Sequence, residues 1–384
     1  MKTHISQFAL KQATRGERRT KNVQIEFWRF AFAIYMIVYH TLGHVYGIKT
    51  GGYIGVDIFF MISGYFLAAS HEKKRNRTGD NSLTEMGAYF KDRFIRLWPM
   101  YLCAYFLKVI LWGIQEQQSI RKIIERIYRS FPEMFMLRIN PSINGVSWFT
   151  CAMLLGGALL WAILSLDRHR VLCSCVLPVC AVIIYSRFES IAGRIHLITT
   201  QRIAPVYFDG FYRAFAGMSL GIIAWNIIRR VGPSLSDAGK FFFRIFGHVT
   251  LTVVLVTSLF KYHGFCDFWF IFLSFCGLTG ILQENTVKMH KSPNIYIYIY
   301  ILHKAGGYLG GLAYPLYLLH EAVFSLLRKY RFISSPIGGC VFVIIASMLE
   351  AVILRRFIKR AVPLAGAQIK ALGNKIYGSW RGCG

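Results

Sequence analysis

Apolar residues in this chain are grouped in repeated runs of roughly 17 to 25 residues, the length that crosses a bilayer as an α-helix. Polar and basic segments separate the runs. They predict ten membrane helices, near residues 26–46, 54–70, 97–114, 147–165, 171–186, 207–228, 245–262, 265–283, 308–327 and 335–354. The predicted fold is therefore all-α: an integral membrane bundle of about ten transmembrane helices.

Two segments between the runs have a periodicity of their own. Residues 120–128 place apolar side chains at helical spacing, which predicts an amphipathic helix in the membrane interface. Residues 295–302 alternate Ile and Tyr, a pattern that in water indicates a strand. An open strand edge is not tolerated in lipid, so we predict an aromatic-rich interfacial segment leading into the ninth helix.

Composition agrees with a membrane protein. The 384 residues are 55% hydrophobic and 16% charged, and the mean hydropathy is +0.42. A soluble domain carries about 25% charged residues. We expect no separate soluble catalytic domain at either end of the chain.

The net charge of +27 lies in blocks outside the apolar runs: six Lys and Arg in residues 1–22, seven in 73–96 and seven from Arg355 onward. Cytoplasmic segments of membrane proteins concentrate positive charge, which predicts that both termini are cytoplasmic. Nucleic acid is not an expected partner, because binding it requires a basic face on a folded soluble domain. The blocks are suited instead to anionic membrane lipids.

These features predict three parts: a basic cytoplasmic tail (1–22), a membrane domain (23–355) and a second basic cytoplasmic tail (356–384). No metal is expected. Among the nine cysteines, Cys173 and Cys175 are too close in sequence for a usual zinc pair, and no further Cys/His ligand set accompanies them.

The first apolar run contains two ionisable residues, Arg29 and His40. Eleven residues of helix are three turns plus about 20°, so both side chains point the same way, about 16 Å apart along the axis. Ionisable groups inside a bilayer are costly and by default indicate a transport pathway or an active site. This geometry suits a reaction within the membrane, which makes both residues catalytic candidates.

Asp57 lies near the start of the second helix, at a depth compatible with contact to His40. A carboxylate there would orient the imidazole and stabilise its charged form, which adds Asp57 to the catalytic candidates. The alternative is that Asp57 caps the helix. Both roles remain open.

Arg93 and Arg96 precede the third helix, share a helical face and lie level with Arg29 at the cytoplasmic surface. Arginine binds phosphate in a bidentate geometry, so the three predict a phosphate-binding site. The alternative for each arginine alone is snorkelling to lipid headgroups.

Tyr317, His320 and Glu321 share a face of the ninth helix near mid-bilayer, and Arg213 lies near the outer end of the sixth. Such polar groups in apolar runs are candidates for substrate binding. A buried hydrogen-bond network between helices is the alternative.

These stretches together resemble acyltransferase family 3, whose members are polytopic membrane acyltransferases. Six motifs occur in the family's order over residues 22–355: Arg29 to His40, Gly55 to Tyr65, Arg93 to Tyr101, Ser147 to Phe149, Arg213 to Gly221, and Tyr314 to His320.

The resemblance implies transfer of an acyl group, often acetyl, from cytoplasmic acyl-CoA to a hydroxyl of a carbohydrate acceptor, such as a cell-envelope polysaccharide or a glycolipid. It implies a multi-pass protein of the cell membrane, with the bacterial inner membrane as the expected location. His40 looks like the catalytic histidine, and Arg29, Arg93 and Arg96 look like the residues that bind the acyl-CoA donor.

One departure from the family concerns the acceptor side. Many members carry an acid a few residues after the tryptophan that corresponds to Trp148, whereas here Phe-Thr-Cys-Ala-Met follows it. Trp148 is thus a candidate for acceptor binding whose usual neighbour is missing.

The competing function is a non-enzymatic transporter or flippase of sugars or lipids, because intramembrane Arg, His and Glu also serve transport pathways. The arginines favour the enzyme, since they cluster on one side of the membrane instead of lining a path through it.

Overall fold

The computed structural model describes residues 22–78, 83–137, 143–167, 171–192, 202–204, 207–260, 266–282 and 304–381. The first basic tail up to residue 21 and the segment 295–302 lie outside the described residues. We label the α-helices in these ranges α1 (Val23–Tyr46), α2 (Ile54–Thr78), α3 (Leu83–Gln115), α4 (Ile120–Arg129), α5 (Trp148–Leu166), α6 (Leu177–Ala192), α7 (Asp209–Val231), α8 (Asp237–Phe260), α9 (Cys266–Ile281), α10 (Ala313–Tyr330) and α11 (Pro336–Arg381).

Shorter elements connect the helices. Single turns of 3-10 helix cover Phe131–Phe135, Gly145–Ser147 and Gly232–Ser234, a π-helical turn covers Leu172–Val176, and residues 304–310 are helical. Two short antiparallel strands, β1 (Arg202–Ala204) and β2 (Tyr207–Phe208), precede α7.

Within the described ranges, seven helices are long and apolar enough to cross a bilayer, and α9 is apolar but shorter. Helices α1 and α10 are not among the seven, and both contain ionisable side chains within their apolar runs, among them Arg29, His40 and Glu321. A multi-pass helical membrane bundle is therefore confirmed. The count of ten spans and the side of the membrane on which the termini lie stay predictions.

Helix α3 begins at Leu83, about four turns earlier than the predicted start near residue 97. Hydropathy reports only the apolar part of a helix, whereas charged residues such as Lys91 and Arg93 sustain helical hydrogen bonding equally well. Pro99 lies inside this helix. For the same reason α11 continues to Arg381, into the segment predicted as a cytoplasmic tail.

Helix α2 forms the centre of the bundle, since 78% of its apolar window is buried inside the protein. Its Gly64 packs directly on the main chain of Met218 in α7, and Gly221 of α7 packs on the main chain of Met61; a Cβ atom at either glycine would overlap those atoms. The two glycines thus allow α2 and α7 to pack closely through their main chains.

Helices α1 and α10 run side by side in the same direction. Gly310, just before α10, packs against Glu26 near the start of α1, and beyond the other end the Tyr46 hydroxyl donates to the Ile333 carbonyl over 2.9 Å. We call the two ends of the bundle the arginine end, which contains Arg29, and the histidine end, which contains His40.

The predicted amphipathic helix is confirmed as α4. Ile123 and Ile127 pack against a small cluster that includes Tyr105 of α3, while Ile120 and Ile124 are exposed. Its location in the membrane interface stays a prediction.

Candidate active site

Three histidines meet at the histidine end of α1 and α10. The ring of His40, which is half-buried, lies 5.1 Å from the ring of His320 and stacks on His44 at 5.4 Å, with an interplanar angle of 9°. The structure thus brings together His40 and His320, which the sequence predicted as separate candidates. The sequence reasoning missed His44, although its position one turn after His40 in the same apolar run was available as a signal.

His320 is fully buried and has a defined hydrogen-bonding state. Its Nδ1 lies 3.1 Å from the main-chain carbonyl oxygen of Leu316. A carbonyl oxygen only accepts hydrogen bonds, so Nδ1 carries the proton and Nε2 presents a lone pair. Within the described part of the chain, Nε2 has no hydrogen-bond partner.

Glu321 and Tyr317, the other two candidates on α10, form hydrogen bonds to the turn Gly145–Ser147, which directly precedes α5. Glu321 accepts a hydrogen bond from the Val146 amide (3.0 Å) and pairs with Lys108 of α3 (3.4 Å). The Tyr317 hydroxyl donates to the Val146 carbonyl over 3.1 Å. Glu321 and Tyr317 are thus engaged in a buried network between helices, the alternative weighed for them from the sequence.

Residues 143 and 144, just before this turn, are also hydrogen-bonded, to Glu133 and to α10. Glu133 is fully buried and accepts hydrogen bonds from the main-chain amides of Ile143 (2.7 Å) and Asn144 (3.1 Å) and from the Ser147 hydroxyl (3.1 Å). The Asn144 side chain in turn donates to the Leu318 carbonyl over 3.1 Å. Together these bonds fix residues 143–147 against α10.

The predicted contact between Asp57 and His40 is wrong. The Asp57 carboxylate forms a bidentate ion pair with Arg213 of α7, with nitrogen–oxygen distances of 3.0 and 2.5 Å, and accepts a hydrogen bond from Tyr185 of α6 over 3.1 Å. Asp57 and Arg213 are both completely buried. The carboxylate faces α6 and α7, whereas His40 faces α10, so Asp57 joins helices instead of orienting the imidazole. It lies within the first turn of α2.

Arg213 and Trp148, both proposed to bind substrate, are closed off from solvent in this structure. The guanidinium of Arg213 lies over the Trp148 ring at 5.9 Å and also donates to the Tyr53 carbonyl over 2.8 Å. Trp148 is 3% exposed and Arg213 is not exposed at all. Because both side chains are buried, neither is accessible to a substrate in this structure. They pack between α2, α5 and α7.

The three predicted arginines are grouped at the arginine end. Arg96 is exposed and lies close enough to Arg29 and Arg93 for their charges to repel one another. Arg29 is half-buried and pairs with Glu26 at 3.2 Å. Glu26 was not singled out from the sequence, although it lies one turn before Arg29 on the same helix.

Arg93 is positioned by neutral groups. Its guanidinium donates to the Tyr89 hydroxyl (2.9 Å), to the Met153 sulfur (3.1 Å) and to the Ser63 hydroxyl (3.4 Å). Since none of these neutralises the guanidinium, the group is held in place with its charge intact. An anion at this end would meet a net positive, partly ordered cluster.

One continuous helix connects the arginines at one end of the bundle with the histidines at the other. Arg29 and His40 both belong to α1, which is unbroken from Val23 to Tyr46. The side chains are therefore separated by about 16 Å along the axis, as the sequence predicted. This arrangement can hold an anionic group at one end and a polarisable reactive bond near the imidazole at the other.

Residues 22–356 match the model of a protein family that is described as an acyltransferase domain, acyltransferase family 3. The matched residues include both clusters. No curated protein and no protein of solved structure matches the chain.

Proposed function

Since this chain belongs to acyltransferase family 3, we propose that it transfers an acyl group, in the first place acetyl, from acyl-CoA to a hydroxyl of a cell-surface or lipid-linked carbohydrate. That the protein is a membrane acyltransferase follows from the family and the helical bundle. What we propose is the identity of the donor, of the acyl group and of the acceptor.

The proposal is supported by the position of the arginine cluster at one end of α1 and of His40 near its other end. CoA brings a pyrophosphate and a further phosphate, which are the groups that arginine binds best. Arg29, Arg93 and Arg96 would bind these phosphates at the arginine end. The acyl thioester, at the other end of the CoA molecule, would then extend toward His40.

His40 acts in this proposal as the general base. The acceptor hydroxyl oxygen attacks the thioester carbonyl carbon, the new ester C–O bond forms, and the C–S bond breaks. The hydroxyl proton passes to the His40 imidazole, which returns it to the departing CoA thiolate, so protons and charge balance. A two-step route is open as well, in which His40 first accepts the acyl group itself and then passes it to the acceptor.

A carbohydrate hydroxyl is the acceptor that the family favours, and the position of His40 supports an acceptor met at the histidine end. We expect the acceptor to approach on the side of the membrane away from the arginines. The carbohydrate therefore reaches the reaction from the outer face, as a cell-envelope glycan or glycolipid does.

The test of the proposed function is a His40→Ala variant. Loss of a general base typically costs ~10²–10⁴ in rate, so release of CoA from acetyl-CoA by the purified protein should nearly cease. Dodecyl maltoside can serve both as the detergent and as a source of carbohydrate hydroxyls. The O-acetyl content of cell glycans, measured with and without the variant, gives the second readout.

His248→Leu is the matched control for that experiment. His248 of α8 also contacts α1, since it accepts a hydrogen bond from Trp28 over 3.0 Å, but it lies outside both clusters. The proposal expects the control to keep most of the activity. Wild-type transfer by a folded His40→Ala protein would show that the chemistry takes place elsewhere.

A further inference from the structure

We propose that His320 is the positioning residue of His40: its bare Nε2 accepts a hydrogen bond from the His40 ring and stabilises the imidazolium formed during acyl transfer. This inference rests on the proposed function, since it assumes that His40 takes up a proton. It gives His320 the role that the sequence suggested for Asp57.

The hydrogen bond at Nδ1 fixes which nitrogen of His320 is available. Nδ1 donates to the Leu316 carbonyl within the same helix, so the tautomer is set by the backbone of α10 and does not depend on a bound substrate. Nε2 remains a pure acceptor, fully buried and without a partner among the described residues. A buried acceptor left unpaired is costly, which indicates that a donor is meant to reach it.

The His40 ring is the nearest imidazole with which Nε2 can pair. The two ring centres are 5.1 Å apart with planes inclined by 35°, a separation that one hydrogen bond between ring nitrogens can span after a small rotation. Phe324 and Tyr317 enclose His320 with ring centres at 5.8 and 6.0 Å. In such an apolar enclosure a hydrogen bond to a charged imidazole is strengthened.

The carboxylates near this pair are engaged elsewhere. Asp57 is saturated by Arg213 and Tyr185. Glu321, although next to His320 in sequence, is directed to Val146 and Lys108. Arg328 and His44 are also near this pair. Arginine only donates hydrogen bonds, and the His44 ring stacks face to face on the His40 ring, so it does not lie in the ring plane along which His40 N–H donates.

The position of each proton during transfer follows from this arrangement. His40 receives the acceptor's proton on one ring nitrogen, and its other ring nitrogen, which carries a hydrogen, donates to Nε2 of His320. No proton moves to His320, so His320 is neutral before and after transfer. Its effect is on the step in which His40 becomes positively charged, and not on the binding of acyl-CoA at the arginine end.

The experiment compares His320→Gln with His320→Met in the CoA-release assay, with the acceptor that supports turnover by the wild-type protein. The two side chains have nearly the same shape, but glutamine provides an oxygen acceptor and methionine only a weak one. We expect kcat of His320→Met to fall about ten- to a hundredfold with an unchanged KM for acetyl-CoA, because a hydrogen bond to a charged group is lost. His320→Gln should recover a substantial part of kcat.

Controls separate this inference from the proposed function. His320→Leu replaces the methionine variant if the latter does not fold, and His248→Leu reports the cost of losing a buried imidazole that contacts α1. Wild-type kcat in a folded His320→Met protein, equal losses in His320→Gln and His320→Met, or an effect confined to KM would each overturn the inference. If His320→Met is active as wild type while His40→Ala is inactive, only the role of His320 is wrong; if His40→Ala is fully active, the proposed function itself fails.

Discussion

Arg93 combines an ordered position with an uncompensated charge. Tyr89, Ser63 and Met153 hold its guanidinium without neutralising it, and Arg96 adds a second, exposed positive charge nearby. A residue that only snorkels to lipid headgroups needs no such contacts. The geometry therefore favours a role of Arg93 in binding an anion of defined shape, such as a phosphate group, over a role as a residue that reaches lipid headgroups.

Substitution of Arg93 should affect binding of the donor more than the chemical step. A charge-assisted hydrogen bond is worth roughly 1.5–3 kcal/mol, so Arg93→Ala should weaken acetyl-CoA binding about tenfold or more. Arg93→Lys should recover only part of the affinity, because the bidentate geometry is lost. Isothermal titration of the purified protein with CoA measures the effect.

Arg121→Ala is the control for that prediction, because Arg121 is an exposed arginine on α4, remote from the cluster. Equal CoA affinity in wild type, Arg93→Ala and Arg121→Ala would show that the phosphates bind elsewhere.

At the level of the helices, the Asp57–Arg213 pair joins three elements of the core. It ties α2 to α7 directly, and Tyr185 adds α6. Removing one partner of a completely buried ion pair leaves an uncompensated charge, which typically costs about 3–5 kcal/mol.

Asp57→Asn should therefore lower the thermal unfolding midpoint of the protein in detergent. The double variant Asp57→Leu, Arg213→Met removes both charges and should be more stable than Asp57→Asn, since packed apolar side chains often replace a buried pair without loss. Any loss of activity in Asp57→Asn should follow the loss of folded protein. An unchanged midpoint together with a large loss of kcat would restore a catalytic role for Asp57.

The sequence predicted where the helices lie better than which helices contact one another, and both outcomes have a physical reason. An apolar run of bilayer length leaves little choice but a helix, so α1, α2 and α5 were placed within a few residues, apart from the polar extension at the end of α2. The partner of Asp57 lies 156 residues away in α7, and hydropathy contains no information about which helix faces which. His320 was recognised as polar in an apolar run, but its nearness to His40 depends on the parallel packing of α1 and α10.

For the molecule as a whole, the described ends of the membrane domain lie together. Gly306 packs against Val23 at the start of α1, and Arg355 of α11 donates to the Tyr308 carbonyl over 3.2 Å. The chain thus enters and leaves the bundle at the arginine end. Whether that end faces the cytoplasm is decided by the distribution of positive charge, and not by the packing.

We predict that a green fluorescent protein fused after residue 384 is fluorescent and that alkaline phosphatase fused at the same point is inactive, as expected for a cytoplasmic C-terminus. Fusions of both reporters after residue 118, in the connection between α3 and α4 at the histidine end, provide the opposite pattern as a control. Active phosphatase at the C-terminus would invert the assigned orientation and place the arginine cluster outside, where acyl-CoA is not supplied.

The buried Glu133 has a consequence for engineering this protein. Residues 143–147 resemble an ordinary surface connection in sequence, yet a carboxylate beneath them accepts two of their main-chain amides, and Asn144 is fastened to α10. An epitope tag or a crystallisation chaperone inserted there would disturb the helix that carries His320. Residues 117–119, by contrast, form hydrogen bonds only to their own neighbours in sequence and are the better point of attachment, provided that Glu116, which pairs with Lys329 of α10, is left in place.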